Sequence, residues 1–457
     1  MHRLLKKHLT LLKSGLLNRD LIRQIVISEK NLMLSKDELL ALRWCKLKSL
    51  LQFAFSNCPF YRQKYIRAGI EPNDIRNIDD FRAVPIITKD EIRQNLREII
   101  ARNSERSHLE EVYTSGTTGV PLKIYRDTRK KNLMHALYRR TVGYWGCDIG
   151  CKKVWIWGLP REIERVWDYR YQSRARRFLK NEAWFNAFDV TKDNMLSFTF
   201  FLNRFRPHLI ISHVSVLCEY ARFLKEEMIV VNSPRAIWIT AEPSHSAQRE
   251  LIENVFGART YDEYGSSEIR HVAAECSYRS GMHINADSRY VEILDSNNQP
   301  VHFGEGGNIV LTDLENRVMP LIRYKNGDVG SLLRDQCKCG LNLPLMGSVR
   351  GRIFDIIVLK NGRKIYGQIF ARILFEQVDC VRQFQVHQIS LGRIVIRIVP
   401  EKNGSIEGLK LRILSKFRLY TGSLIRYTFE IVPQIKREKS GKFRFVKSDV
   451  GCPDNFI

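Results

Sequence analysis

Residues 113–127 read YTSGTTGVPLKIYRD, and this glycine- and hydroxyl-rich turn is the most distinctive stretch of the chain. Gly116 and Gly119 can adopt positive φ, so backbone N–H groups can point into the turn and bind an anion. The side chains that add hydroxyl donors are Thr114, Ser115, Thr117 and Thr118. The pattern favours phosphate binding, although an ordinary polar turn has similar composition. Pro121 stands where a Walker A loop needs its lysine and a helix start, which argues against a P-loop NTPase.

Four further signatures follow this turn in order along the chain. They are YGSSE at 264–268, RYKNGD at 323–328, GRIFDIIVLKNGRKI at 351–365 and SGK at 440–442. With YTSGTTGVP, this set resembles the adenylate-forming superfamily of acyl-coenzyme A synthetases, luciferases and peptide-synthetase adenylation domains. LTDLENRVMPLIRY at 311–324 and CKCG at 337–340 are most similar to the phenylacetate-coenzyme A ligase group. LKNGRKI at 359–365 looks like the capsular-polysaccharide (CapK-type) relatives of that group.

The predicted fold is α/β, because apolar strands and helices alternate along much of the chain. LIIS at 209–212 and RAIWIT at 235–240 read as strands of two successive βα units, and these predict a parallel sheet. The resemblance implies an N-terminal adenylation domain at 1–353, with a β-rich subdomain at about 281–350. A small mobile α+β lid at 354–457 would follow, formed by a βαβ-type unit and carrying the catalytic lysine.

The resemblance implies that the chain joins a carboxylic acid to AMP with the help of ATP and Mg²⁺, and then transfers the acyl group. Lys442 matches the catalytic lysine of the family, and Glu268 matches the glutamate that binds Mg²⁺. Asp328 and Arg352 match residues that contact the ribose, and Tyr264 matches a tyrosine that lies against adenine. The remaining predicted ATP- or AMP-binding residues are Thr114, Ser115, Gly116, Thr117, Thr118, Gly119, Gly265, Ser266 and Ser267. On composition alone, Lys442 reads as a solvated surface lysine, and a core tyrosine is the alternative for Tyr264.

The acyl acceptor is less defined than the adenylation step. Coenzyme A is the acceptor that the phenylacetate-coenzyme A ligase resemblance implies, with an aryl or other organic acid as substrate. At the pivot position two residues after Arg352, where the family commonly has Asp or Lys, this chain has Phe354, with Asp355 next, so the pivot could be shifted by one residue. An acid or amino acid activated for transfer to a surface polysaccharide or its sugar precursor is therefore an alternative. A non-catalytic binding protein in a polysaccharide-assembly complex is another. Ser212, His213, Ala241 and Glu242 follow strand ends and are candidate walls of the acid pocket.

Cys276, His283, Cys337 and Cys339 form a second constellation. Three thiolates and one imidazole would make a closed tetrahedral Zn²⁺ site, which is the pattern of structural zinc and not of catalytic zinc. Four separate reduced side chains are the alternative. The chain carries 74 Lys and Arg against 49 Asp and Glu, a net charge of +25, and this predicts an anionic partner.

Several anionic partners would account for that positive charge, namely ATP, coenzyme A, an acidic carrier or an anionic membrane surface. No nucleic-acid-binding signature is present. The N-terminal stretch MHRLLKKHLTLLKSGLLNRD at 1–20 mixes basic residues with leucines at helical spacing. It reads as an amphipathic helix, packed on its own domain or lying on a membrane, and not as a signal peptide. No apolar run is long enough to span a bilayer. The predicted location is cytoplasmic, with peripheral inner-membrane association as the alternative.

Overall fold

A computed structural model describes residues 18–104, 109–113, 122–148, 150–157, 181–186, 192–349, 356–361, 363–377, 380–401, 408–423, 425–436 and 443–450. The α-helices of these segments are α1 (Arg19–Lys30), α2 (Lys36–Asn57), α3 (Pro59–Arg67), α4 (Lys89–Gln94), α5 (Leu96–Ile99), α6 (Thr128–Gly143), α7 (Lys192–Phe205), α8 (Val214–Glu226), α9 (Ser246–Phe256), α10 (Gln368–Phe375) and α11 (Leu409–Thr421). Two 3₁₀ turns cover Asn31–Met33 and Asp80–Ala83.

The strands of the same segments are β1 (Ile87–Thr88), β2 (Glu110–Tyr113), β3 (Lys123–Arg126), β4 (Lys153–Trp157), β5 (Glu182–Asn186), β6 (Leu209–His213), β7 (Ala236–Thr240), β8 (Thr260–Tyr264), β9 (Ala273–Glu275), β10 (Met282–Ile284), β11 (Arg289–Leu294), β12 (Gly307–Asp313), β13 (Tyr324–Gly330), β14 (Leu332–Leu333), β15 (Leu345–Met346), β16 (Ile356–Val358), β17 (Lys364–Tyr366), β18 (Val381–Ser390), β19 (Arg393–Pro400), β20 (Arg426–Ile431) and β21 (Val446–Ser448).

The chain divides into two compact units. The first comprises Met1–Lys153, Tyr171–Glu182 and Tyr261–Ser348, and the second comprises Val154–Arg170, Ala183–Thr260 and Val349–Ile457. The predicted boundary between residues 353 and 354 falls in a stretch outside the described residues, and it stays a prediction. The predicted N-terminal helix at 1–17 also lies outside them.

In the first unit, short strands follow one another from residue 260 to residue 346. One sheet has the order β1-β13-β12-β11, and another run has the order β14-β15-β10-β9-β8. Strand β1 pairs with β13 in parallel, whereas β13, β12 and β11 pair antiparallel. The parallel pairing brings residues 87–88 beside residues 324–325, and this register matters for the site.

The interior of the first unit contains a charged cluster. The Arg140 guanidinium donates to Asp287 Oδ1 at 2.9 Å and to Asp287 Oδ2 at 2.8 Å, and it also donates to Asn285 Oδ1 at 3.0 Å. Burial opposes ionisation of Asp287, but the guanidinium holds the pKa of that carboxyl well below its usual range. The pair is almost fully buried, so removing one partner would leave an uncompensated charge in the interior.

In the second unit, the two predicted βα units are confirmed. Strands β6 and β7 pair in parallel with Leu209 opposite Ala236, and helices α8 and α9 follow them. Every residue of β6 is buried, as expected for a strand covered on both faces. The helix-facing side of the sheet packs into an apolar core of which Ile210, Ile237 and Leu217 are members.

The C-terminal part of the second unit has its own small sheet, with the order β20-β19-β18-β21. Strands β19 and β20 run parallel and are joined through α11, which confirms the predicted βαβ-type unit. Its core includes Phe370, Ile396 and Phe417. This part also packs on helix α8, where Arg382 pairs with Glu219 at 2.8 Å.

Candidate functional site

The YGSSE signature forms a tight turn at the end of β8. Glycine is required at position 265, because a Cβ there would lie 2.9 Å from the backbone nitrogen of His271. The turn is closed by Ser266, whose N–H donates to Ile269 O at 3.0 Å and whose hydroxyl accepts from the Ile269 N–H at 3.1 Å. The turn therefore fixes the positions of Tyr264, the last residue of β8, and of Glu268, the last residue of the signature.

Tyr264 and Asp328 meet, although 64 residues separate them in sequence. The Tyr264 hydroxyl donates to Asp328 Oδ2 at 2.9 Å, and both side chains are buried. Burial, followed by the nearby Asp328 carboxylate, raises the pKa of Tyr264 well above its usual value, so the phenol remains a donor. The predicted adenine and ribose residues are thus adjacent in the first unit.

Asn326 completes this group, and the sequence analysis did not single it out. Its amide nitrogen donates to the Tyr264 hydroxyl at 2.7 Å and to Asp328 Oδ2 at 2.8 Å. Its amide oxygen accepts from the Asp328 N–H at 3.0 Å, which locks the Asn-Gly-Asp turn. The signal was available in RYKNGD, because an Asn two residues before an Asp in a glycine turn is a common backbone-capping arrangement.

Glu268 lies beside two further residues that the sequence analysis missed. Its Oε1 accepts a hydrogen bond from the Tyr324 hydroxyl at 3.2 Å and lies 4.0 Å from the Lys89 ammonium nitrogen. The carboxylate side chain is only 8% exposed. Lys89 reaches it because β1 pairs in parallel with β13, with Ile87 opposite Tyr324. A buried carboxylate can bind a divalent cation, and a lysine nearby can balance the negative charge of a polyphosphate.

Arg323, the first residue of RYKNGD, has a structural role. Its guanidinium forms two hydrogen bonds to Glu292, at 3.1 and 2.9 Å, and also donates to the carbonyl oxygens of Arg82 and Val84. Its backbone has a φ of +50°, which is unusual for a side chain of this size. The arginine therefore anchors the start of β13 to neighbouring segments.

Several predicted site residues lie outside the described residues. They are Thr114, Ser115, Gly116, Thr117, Thr118, Gly119, Arg352 and Lys442, together with Phe354 at the predicted pivot. The strands that flank the phosphate turn are described, and they pair as a hairpin with Tyr113 opposite Lys123. Lys123 forms an ion pair with Glu111 at 2.6 Å. That pairing engages the lysine within the hairpin itself.

The four predicted metal ligands converge in the first unit. Their donor atoms all lie within 4.8 Å of one another. The Cys276 and Cys337 sulfur atoms are 3.4 Å apart, and Cys339 Sγ is 3.3 Å from His283 Nε2. Cys276 follows β9, His283 lies in β10, and the other two cysteines lie between β14 and β15. The cluster therefore joins β9 and β10 to the loop between β14 and β15.

The chemistry of this donor set suits a soft divalent ion. Burial lowers the pKa of His283 to about 4, so the imidazole is neutral, as a ligand must be. The Tyr278 N–H donates to Cys276 Sγ at 3.4 Å, and the Cys337 carbonyl accepts from Gly340, which has a φ of +83°. These are the features of a knuckle that presents two thiolates to one ion, so the residues present can hold a metal.

Comparison with known proteins identifies the relatives of this chain. Residues 357–449 match the CapK C-terminal domain family. The chain is 25% identical over 448 residues to a phenylacetate-coenzyme A ligase of Thermus thermophilus, covering 90% of this chain and 97% of that protein. It is 26% identical over 375 residues to the Escherichia coli phenylacetate-coenzyme A ligase, covering 78% and 80% respectively. Protein CapK of Staphylococcus aureus is 23% identical over 431 residues, covering 91% of this chain and 90% of CapK. The chain is a relative of the phenylacetate-coenzyme A ligases and of CapK.

Solved structures support the same fold. A 2-hydroxyisobutyryl-CoA ligase in the postadenylation state matches with a TM-score of 0.75 and 20% identity, covering 92% of this chain and 91% of that one. The same ligase with 2-HIB-AMP and CoA in the thioesterification state matches with a TM-score of 0.60. The predicted α/β fold is thereby confirmed. Within the described segments, no helix is both long and apolar enough to cross a membrane.

Proposed function

We propose that this protein is an adenylate-forming ligase that activates a carboxylic acid with MgATP and then transfers the acyl group to coenzyme A. The observation that carries the proposal is the buried group of Tyr264, Asn326 and Asp328, formed by two of the five ordered signatures. The relatives named phenylacetate-coenzyme A ligase, each aligned over most of this chain, support the same reaction class.

In the first half-reaction, a substrate carboxylate oxygen attacks the α-phosphorus of ATP, the bond to the β-phosphate oxygen breaks, and pyrophosphate leaves. Positive groups must be in place before charge builds on that phosphorus. We assign Lys442 to this role, Glu268 to Mg²⁺ binding and the turn at 114–119 to the phosphates. Asp328 and Arg352 are assigned to the ribose and Tyr264 to adenine. In the second half-reaction, a thiol sulfur attacks the acyl carbon and AMP leaves.

The test of the proposed reaction is pyrophosphate release from MgATP in the presence of a panel of acids. The panel should include arylacetic acids, short hydroxy acids and amino acids, because the described residues do not select among these classes. Release that requires one acid and yields an acyl-AMP detectable by mass spectrometry supports the proposal. Absence of release with every acid, from folded protein that binds ATP, would favour a non-catalytic binding role.

A second candidate differs only in the acceptor. Activation of an acid or amino acid for transfer to a surface polysaccharide or its sugar precursor is favoured by the match of residues 357–449 to the CapK C-terminal domain family. Phe354 at the pivot position supports it as well, since the lid of this chain departs there from the usual family residue. A single-turnover assay separates the two candidates by offering preformed acyl-AMP to coenzyme A, a carrier thiol or an amino sugar. Rapid discharge by coenzyme A alone would exclude the polysaccharide candidate.

We also propose that Cys276, His283, Cys337 and Cys339 hold a structural Zn²⁺ ion. Three sulfur donors and one nitrogen donor within 4.8 Å match the preference of zinc, and four protein ligands leave no open position for catalysis. Elemental analysis of protein purified without chelator should find one zinc per chain. The proposed location is cytoplasmic, and the net charge of +25 would also support peripheral association with an anionic membrane or a polysaccharide-assembly complex.

A further inference from the structure

Glu242, which follows strand β7, connects two parts of the second unit that are far apart in sequence. Its Oε2 accepts from the Ser215 N–H at 2.9 Å, and its Oε1 accepts from the Ser215 hydroxyl at 3.0 Å. The same Oε1 accepts from the backbone N–H of Phe443 at 2.7 Å, across 201 residues. Glu242 is only 6% exposed, so these hydrogen bonds are shielded from water.

The Ser215 contacts alone have an ordinary structural explanation. Ser215 is the second residue of helix α8, and a carboxylate at a helix N-terminus satisfies an otherwise unpaired N–H and interacts favourably with the helix dipole. The Phe443 contact is different, because that N–H belongs to the peptide bond that joins Lys442 to Phe443. A buried carboxylate is thus bonded directly to the chain next to the proposed catalytic lysine.

The chain that follows Lys442 is also fixed by aromatic packing. The rings of Phe443 and Phe445 are 4.8 Å apart, and Phe445 packs against Phe375 and Phe384 at 4.9 and 5.2 Å. Phe443 is 6% exposed and lies in a smaller cluster with Val399 and Ile435. The backbone immediately after the lysine therefore has one polar anchor, at Glu242, and one apolar anchor.

The turn that carries Glu242 is itself constrained. Ala241 adopts a φ of +70°, which costs free energy for a residue with a Cβ and persists only where surrounding contacts enforce it. Pro243 follows Glu242 and restricts its backbone further. The carboxylate is thus held in one orientation, as a group that positions another residue must be.

We infer that Glu242 is a positioning residue for Lys442 in the adenylation half-reaction. It acts through the Phe443 amide and does not touch substrate. The inference rests on the proposed function, because it assigns a role to a neighbour of the proposed catalytic lysine. Since the lysine acts on the developing charge at phosphorus, loss of its anchor should lower the rate of adenylation and leave ATP affinity unchanged.

The experiment compares Glu242→Ala with a matched control, Glu253→Ala. Glu253 makes the same kinds of bond in the same unit, because its Oε1 accepts the N–H of Thr260 at 2.9 Å and the Thr260 hydroxyl at 2.6 Å. Each variant is assayed for pyrophosphate release and, separately, for discharge of preformed acyl-AMP by the acceptor that the wild-type protein uses. Melting temperature and the KM for ATP are measured alongside.

Glu242→Ala should lower the rate of pyrophosphate release about 10- to 150-fold, the range expected for losing a hydrogen bond to a charged group. The KM for ATP and the discharge of acyl-AMP should stay within about twofold of wild type. Glu242→Gln should recover part of the rate, because its amide oxygen can still accept from Phe443. Glu253→Ala should lower stability while both half-reactions per folded molecule remain near wild type.

Equal loss of both half-reactions in Glu242→Ala would overturn the inference in favour of a purely structural role, and so would adenylation within about twofold of wild type. If Glu242→Ala does not fold, Glu242→Gln carries the test: it should lower adenylation more than discharge of acyl-AMP, and equal loss of both half-reactions would overturn the inference. Wild-type protein that releases no pyrophosphate with any acid would instead refute the proposed function, and the inference with it.

Discussion

The hydroxyl of Tyr264 offers the most direct test of the proposed nucleotide site. Tyr264→Phe removes the donor to Asp328 Oδ2 and the acceptor for the Asn326 amide, while leaving the aromatic ring in place. A hydrogen bond to a charged group contributes about 1.5–3 kcal/mol, because its loss leaves the carboxylate partly unsatisfied in a buried site. If that free energy serves to hold Asp328 for the ribose hydroxyls, the kcat/KM for ATP should fall about 10- to 150-fold.

The loss should appear mainly in the KM for ATP. The adenosine part of ATP is remote from the reacting phosphorus, so contacts with it are made equally in the ground state and the transition state. Initial rates of pyrophosphate release at varied ATP concentration give both constants, and calorimetric titration of ATP gives the affinity independently. The hydrogen bond from the Asn326 amide to Asp328 Oδ2, 2.8 Å long in the wild-type chain, does not involve the Tyr264 hydroxyl, so the turn should keep its conformation.

Tyr61→Phe is the matched control in the same unit. The Tyr61 hydroxyl donates to the Pro320 carbonyl oxygen at 2.8 Å and accepts from the Ile322 N–H at 3.1 Å, and its side chain is fully buried. It should lower the melting temperature without changing the KM for ATP. The reasoning is refuted if Tyr264→Phe leaves the KM for ATP within about twofold of wild type, or if both variants raise it equally.

The other predictions concern the lysine, the metal and the buried ion pair. Lys442→Ala should retain less than about a tenth of wild-type adenylation, a loss of more than about 1.4 kcal/mol, with ATP affinity nearly unchanged, as pyrophosphate assays and titration will measure. Cys337→Ser and Cys339→Ser should each release zinc and lower the melting temperature, with smaller effects on the rate per folded molecule, as elemental analysis and thermal unfolding will measure. The Asp287 carboxyl has a depressed pKa in the folded state, so its stabilising contribution should be present above the unfolded pKa of about 3.9 and decline as pH falls below it. Arg140→Ala should cost about 3–5 kcal/mol of folding free energy at neutral pH, measured by urea unfolding at pH 7.

Much of the fold could be predicted from local patterns. The apolar run at 209–212 and the strand at 235–240 each precede a helix, and such units pair in parallel for reasons of chain connection alone. The C-terminal βαβ unit could be predicted in the same way. The extent of the compact units could not be predicted from local patterns. Residues 183–260 and 349–457 belong to one unit because of contacts such as that between Arg382 and Glu219. No local pattern encodes such a pairing.

In the candidate site, too, some residues could be predicted from the sequence and others could not. Tyr264 and Asp328 were predicted to bind the adenine and the ribose of one nucleotide because their signatures resemble those of a known family, but their hydrogen bond to each other was not predicted. Lys89 could not, since its approach to Glu268 depends on β1 pairing in parallel with β13, across more than 230 residues of chain. Two-residue strands carry too little sequence pattern to define a register. Glu242 was expected to line the acid pocket, and that stays a prediction, whereas its hydrogen bonds to Ser215 and Phe443 could not be read from the sequence.

The position of the cysteine cluster explains why metal loss should affect stability more than chemistry. Strand β9 lies between the cluster and the nucleotide site, because Cys276 follows its last residue and Ala273, its first residue, pairs with Tyr264. The Tyr264 end of this strand has supports of its own, since the Val272 N–H donates to the Tyr264 carbonyl at 2.9 Å and the Asn285 N–H donates to the Val272 carbonyl at 2.9 Å. Losing the metal would release the 337–340 loop first, while these bonds keep Tyr264 in register. Zinc would therefore contribute to the free energy of folding, and the geometry of the nucleotide site would change only when β9 itself detaches.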